Sequence, residues 1–201
     1  QNCGDVIIDQ IDKIASIKLS SSDVTYNGKA RTPSVIVTDE SDELLVAGKD
    51  YDYEYSEDEM KDCGAYKVYV TFKGNYEGEK TLTFTIGAGK TSSIKTTATQ
   101  KGTMKLTWAE VEGATGYRVY IYKTVDGKTR KRVVSVEGTS YTLTKDYNGK
   151  ALKMGEEYKI AVTAYTKLED GTVIHAKAGV AKTFTQTPGK ATVKATSTTK
   201  G

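Results

Sequence analysis

An all-β chain built as two β-sandwich modules in tandem is the fold class this sequence predicts, and three observations predict it. Short runs alternate apolar and polar residues and are separated by Gly, Asn and Asp turns, the spacing of a sandwich or barrel rather than of βαβ units. A Gly-Lys-led, threonine-rich stretch occurs twice, at 89–102 and 189–201, and the first copy leads into a β-rich stretch of ordinary domain length. Charge divides at the same place. Residues 1–87 carry 9 Lys and Arg against 17 Asp and Glu, whereas residues 88–201 carry 20 against 9. The expected division is an N-terminal segment at 1–14, one sandwich at 15–87, a second at 88–186, and at 187–201 a linker with the orphan first strand of a further module. The second copy of the repeat predicts a segment of a longer array, whose strand at 190–201 is disordered or borrows an edge from a neighbour.

Taken in order, residues 5–15 are ambiguous. Ile7, Ile8, Ile11 and Ile14 recur at helical spacing, but β-branched side chains favour a strand, and so short a helix is marginal alone. From Ile17 the pattern is strand-like: 17–19, 34–37, 51–55, 66–72 and 81–86. Asn27-Gly28 and Gly74-Asn75 are turn signals, and Pro33 stands just before a run, where its missing N–H is tolerated. The motifs Tyr26-Asn27-Gly28-Lys29-Ala30, Pro33-Ser34-Val35, Gly48-Lys49-Asp50-Tyr51, Gly64-Ala65-Tyr66-Lys67-Val68, Gly74-Asn75-Tyr76-Glu77-Gly78 and Thr83-Phe84-Thr85-Ile86 follow in an order that resembles the Ig-like repeats of exported surface proteins from Gram-positive, clostridial-type bacteria.

Cys63 departs from that repeat, where the position is usually small or polar, and the departure favours a tie to Cys3. Such a disulfide would close a loop of about 60 residues and contribute up to ~4 kcal/mol in the chain-entropy model. Two thiols are the alternative, and the spacing itself does not choose between them.

In the second half, Met104, Leu106 and Trp108 alternate onto one face, as do Tyr117, Val119 and Ile121, with Arg118, Tyr120 and Tyr122 opposite. Asp126-Gly127 marks a hairpin. Short runs follow at 133–136 and 141–143, then a longer one through Tyr158, Ile160, Val162 and Ala164, and a last hairpin at 169–171. Trp108 on a second strand, with Leu152, Gly155 and Tyr158 in a Leu-x-x-Gly-x-x-Tyr corner, resembles the fibronectin type III module over residues 89–186. The resemblance implies that Trp108 packs between the sheets. It also implies that Gly155 permits the tight corner and that the Tyr158 hydroxyl returns to the backbone. Met154 stands where such modules often have Pro.

Few residues can carry chemistry. The single imidazole, His175, has no nucleophile motif beside it, and no Gly-rich phosphate loop leads from a strand into a helix. Two carboxylate clusters, Asp39, Glu40, Asp42, Glu43 and Glu57, Asp58, Glu59, Asp62, lack EF-hand spacing and read as solvated loops. No catalytic residue, metal site or cofactor is expected.

The candidate binding residues are Lys128, Arg130, Lys131 and Arg132, a basic run able to grip an anionic polymer or simply to keep an edge strand soluble. Fourteen Tyr against 3 Phe add a second candidate. Either Tyr51, Tyr53 and Tyr55 or Tyr120 and Tyr122 can form a sugar-stacking platform, or fill half-buried positions. No run approaches ~20 apolar residues, so no membrane insertion is expected within these residues.

Nor is a nucleic-acid partner expected, because the basic run lacks interleaved aromatics. The partners expected are neighbouring modules of the same chain and, as an alternative role, carbohydrate, wall polymer or an extracellular protein. The two resemblances imply a non-catalytic spacer or interaction segment of a modular protein that is extracellular or at the cell surface.

Overall fold

The computed structural model describes residues 13–99 and 102–188. Cys3, most of the ambiguous segment at 5–15 and the repeat at 190–201 lie outside the described residues. The chain divides into two compact units, Gln1–Gly87 and Ala88–Gly201. Every regular element among the described residues is a strand.

The first unit holds β1 (Ile14–Leu19), β2 (Asp23–Thr25), β3 (Val35–Asp39), β4 (Tyr51–Tyr55), β5 (Gly64–Phe72) and β6 (Glu79–Gly87). β1 and β3 pair antiparallel as a two-stranded sheet, with a register shift between Ile14 and Ser16. The facing sheet has the order β2-β6-β5-β4, and β2 runs parallel to β6. Period-two alternation decides what is buried: Tyr66, Val68 and Val70 of β5 point inward between exposed neighbours, meeting Val35 and Val37 of β3 in one core with Phe84 and Ile86. β2, three residues long, left no alternation to read.

The second unit holds β7 (Ile94–Ala98), β8 (Met104–Trp108), β9 (Gly116–Val125), β10 (Lys128–Val136), β11 (Ser140–Leu143), β12 (Glu157–Lys167), β13 (Val173–His175) and β14 (Val180–Thr185). One sheet is β11-β8-β7; the other runs β10-β9-β12, and β12 goes on to pair both β13 and β14. Leu106, Val119, Ile121, Leu143, Ile160, Val162 and Ala164 are fully buried between the sheets with Trp108 and Tyr117.

Thr91, also fully buried, fastens the beginning of this unit to its end. Its hydroxyl donates to Val162 O (2.6 Å) and accepts from Val180 N (3.1 Å), taking the place of a peptide group where β14 meets β12. Gly179 beside it is crowded: a Cβ there would lie 2.1 Å from Val162 O.

Candidate functional site

The β9–β10 hairpin turns through Asp126 (φ 51°) and Gly127 (φ 71°), the left-handed pair that a two-residue turn of this hand requires. The turn fixes the register: Lys131 faces Tyr122, Val133 faces Tyr120 and Ser135 faces Arg118. On the other side of β9, Lys159, Ala161 and Thr163 of β12 face Tyr122, Tyr120 and Arg118. β14 then places Thr183 and Ala181 beside Lys159 and Ala161. Since Val119, Ile121, Ile160 and Val162 are buried, these alternate residues share the opposite, outward side of one sheet.

The pleat therefore divides the basic run. Lys131 joins the outward side, while Lys128, Arg130 and Arg132 have the other parity. Arg132 is committed elsewhere: its Nε donates to Asp146 O (2.8 Å) and Nη2 to Lys145 O (2.6 Å), holding the loop after β11. The four cations clustered at 128–132 do not form one patch.

Two tyrosines do come together. The rings of Tyr120 and Tyr122 lie 5.9 Å apart and within 10° of parallel, and Lys131 Nζ stands 5.5 Å from the Tyr120 centroid. Such a cation–π contact contributes ~0.5–1 kcal/mol when exposed. Neither hydroxyl bonds another described residue. Partial burial, with the neighbouring Tyr120, raises the Tyr122 hydroxyl above its ordinary pKa, so it stays neutral. A shallow depression of about 320 Å³ adjoins them, lined by Tyr122, Thr124, Thr129, Lys159, Ala161 and Ala181 among others.

Farther along the same side, Gly116 pairs with Tyr165, whose ring occupies the space a side chain would need; a Cβ on Gly116 would lie 2.5 Å from it. His175 meets Tyr165 edge-on at 6.2 Å. Partial desolvation, then the charge of Arg118, holds the imidazole below its ordinary pKa. Among the outward positions of β9, β10, β12, β13 and β14, Glu157 is the one carboxylate, at the start of β12.

The remaining sequence candidates lie apart from this face. Trp108 is buried, 5.4 Å from Tyr117, and its Nε1 has no hydrogen-bond partner among the described residues. Leu152 is half-buried against the same core. Gly155 (φ 78°) donates its N–H to Gln186 O (2.9 Å), and Tyr158 Oη accepts from Lys153 N (2.9 Å) and donates to Glu156 (3.3 Å). Cys63 is half-buried. Tyr51, Tyr53 and Tyr55 form no platform: Tyr51 is buried, and Tyr53 and Tyr55 meet edge to face at 89°.

Asp39 belongs to its own loop, accepting from Ser41 N and Glu43 N (2.9 Å each) and from Tyr76 Oη (3.2 Å). Those bonds, the Glu43 N–H foremost, lower its pKa. Among the described residues no three His, Cys, Asp or Glu side chains gather as a metal site would require, and no helix is long and apolar enough to cross a membrane.

No protein-family model matches the chain, and no curated protein matches it either. Solved structures similar to it are fibronectin type III domains. A mutant of FN3tt is 19% identical, spanning 52% of this chain and 99% of its own, with a TM-score of 0.35. A segment of two fibronectin type III domains from chicken tenascin is 15% identical, spanning 87% of this chain and 99% of its own, with a TM-score of 0.47. With scores below 0.5, the sandwich assignment rests on the strand pairing described above.

Proposed function

We propose that these residues form a non-catalytic spacer and interaction segment of a modular bacterial protein, exported or held at the cell surface. One observation carries the reading. Each unit's interior is filled by its own apolar side chains, so the groups able to recognise anything stand on an outer sheet face rather than in an enclosed site. Two hollows of the first unit, about 520 and 490 Å³, are open clefts rather than enclosed sites. The motif orders at 15–87 and 89–186, resembling Ig-like and fibronectin type III modules, support the extracellular setting, and the opposite charge of the halves suits neighbours in an array.

Force–extension measurement on the chain held by its ends tests the spacer role. Two discrete unfolding steps of unequal size are expected, with unfolded contours of about 250 and about 340 Å at ~3.3–3.6 Å per residue. Smooth lengthening at low force, without steps, would exclude load-bearing modules.

A further inference from the structure

The outward side of β10-β9-β12-β14 combines features that solubility alone does not require. Two near-parallel tyrosines stand side by side on β9 with hydroxyls that bond no described residue. Arg118, Lys131, Lys159 and Lys167 lie on this side, with Glu157 at its margin the one opposing charge. Between the aromatics and the cations the side chains are small, Ala161, Thr163, Ala181 and Thr183, and Ala161 and Ala181 line the depression beside Tyr122 and Lys159.

We propose that this face binds an anionic polysaccharide, a chain of sugar rings bearing carboxylate or sulfate, with Tyr120 and Tyr122 against the sugars' apolar C–H faces and Lys131, Lys159 and Arg118 on the anions. The proposal deepens the interaction part of the function above and is independent of the spacer part, which the force measurement tests alone.

Three considerations select this occupant. From Gly116 to Tyr122 the strand rises ~20 Å at 3.3–3.4 Å per residue. An extended chain lying along it meets Tyr122, Tyr120 and Arg118, then the Tyr165 ring over Gly116. A peptide adds to a sheet through backbone bonds at an edge, and the face of a paired sheet presents no such donors. Cation and aromatic stand together, Lys131 Nζ 5.5 Å from the Tyr120 centroid, as a sugar carrying its anion on the ring requires, and the oligothymidylate arm of the test separates this occupant from single-stranded nucleic acid.

The test is affinity electrophoresis and calorimetry of the full chain with polygalacturonate, heparin, neutral dextran, polyglutamate and oligothymidylate. Polygalacturonate or heparin should bind, more weakly at higher salt, with polyglutamate, oligothymidylate and dextran at least tenfold weaker. The pair Lys131→Gln and Lys159→Gln should weaken binding by about tenfold or more, from the loss of charge-assisted bonds, and Tyr120→Ala with Tyr122→Ala should weaken it comparably. Lys128→Gln with Arg130→Gln, of the other parity, should change it less than about twofold.

Amide shifts of the unmodified chain titrated with galacturonate oligomers should centre on β9 and β12, which keeps the test decisive if a tyrosine variant fails to fold. Absence of binding by both anionic glycans overturns the proposal. So does equal binding of polyglutamate, oligothymidylate or dextran, equal weakening by the two pairs of charge-removing substitutions, or shifts centred elsewhere.

Discussion

In the first unit three tyrosines run inward and end in a hydrogen bond, while Tyr53 and Tyr69 stand exposed: Tyr51 donates to Val35 O (3.2 Å), Tyr55 to Pro33 O (3.0 Å) and Tyr66 to Asp62 O (2.9 Å). In the second unit Tyr117 and Tyr158 do similar duty, accepting from Val111 N and Lys153 N, but Tyr120 and Tyr122 stand outside. The difference follows from how each sandwich closes. Among the described residues β1 and β3 are the two strands that cover the four-stranded sheet of the first unit, and part of its core is built from long side chains whose polar tips reach the rim. Three strands face a larger sheet in the second unit, where Leu, Ile and Val fill the interior around Trp108. Its Tyr120 and Tyr122, on the outer face, end in no hydrogen bond to a described residue.

The comparison breaks most visibly at the two aromatic centres. Phe84, fully buried, lies 5.5 Å from Tyr66 and 6.5 Å from Tyr55. Phe84→Ala in the first unit and Trp108→Ala in the second should each cost ~3–5 kcal/mol in urea titration. A loss below 1 kcal/mol at either would show that ring to be peripheral.

The hydroxyls sharpen it next. Tyr51→Phe and Tyr158→Phe should each lose ~1–2 kcal/mol, since a buried carbonyl or N–H is left unpaired, while Tyr120→Phe and Tyr122→Phe should stay within ~0.5 kcal/mol. Equal losses at all four would erase the distinction between inner and outer tyrosines. Gly155→Ala should cost ~1–2 kcal/mol by backbone strain alone, because nothing lies within 4 Å of the added methyl; thermal unfolding measures it.

The smallest expected effect is electrostatic. His175 should titrate below its ordinary 6.5 by NMR, and Arg118→Gln should move it upward. Its lowered folded pKa means that the unfolded chain binds the proton more readily. The stability tied to the neutral ring is thus complete above about 6.5 and is lost as pH falls through the folded value. A value at or above 6.5 would contradict the packing against Tyr165 and the proximity of Arg118.

Alternation made the strands legible, and turn chemistry made the Asp126-Gly127 hairpin legible, because both are local properties of consecutive residues. What sequence could not show is which sequence neighbours become spatial neighbours. Lys128, Arg130, Lys131 and Arg132 read as one patch along the chain, yet period-two geometry sends Lys131 to one side and Arg132 to a pair of loop carbonyls. Parity counted along 128–132 is the signal that would have separated them. Tyr165 over Gly116, and Thr91 between Val162 and Val180, join residues 49 to 89 positions apart, for which one sequence carries no signal.

Thr91 also sets the order in which the molecule can be completed as it is made. Chain leaving the ribosome carries Thr91 long before its acceptor at Val162 and its donor at Val180 exist, and Phe184 must follow to fill the core. At ordinary synthesis rates that interval is on the order of ten seconds. The first unit, whose Tyr26 N–H is bonded by Gly87 O, has all its strands much earlier. For that interval the nascent second unit displays an open apolar layer, and this is when a holding chaperone would matter most.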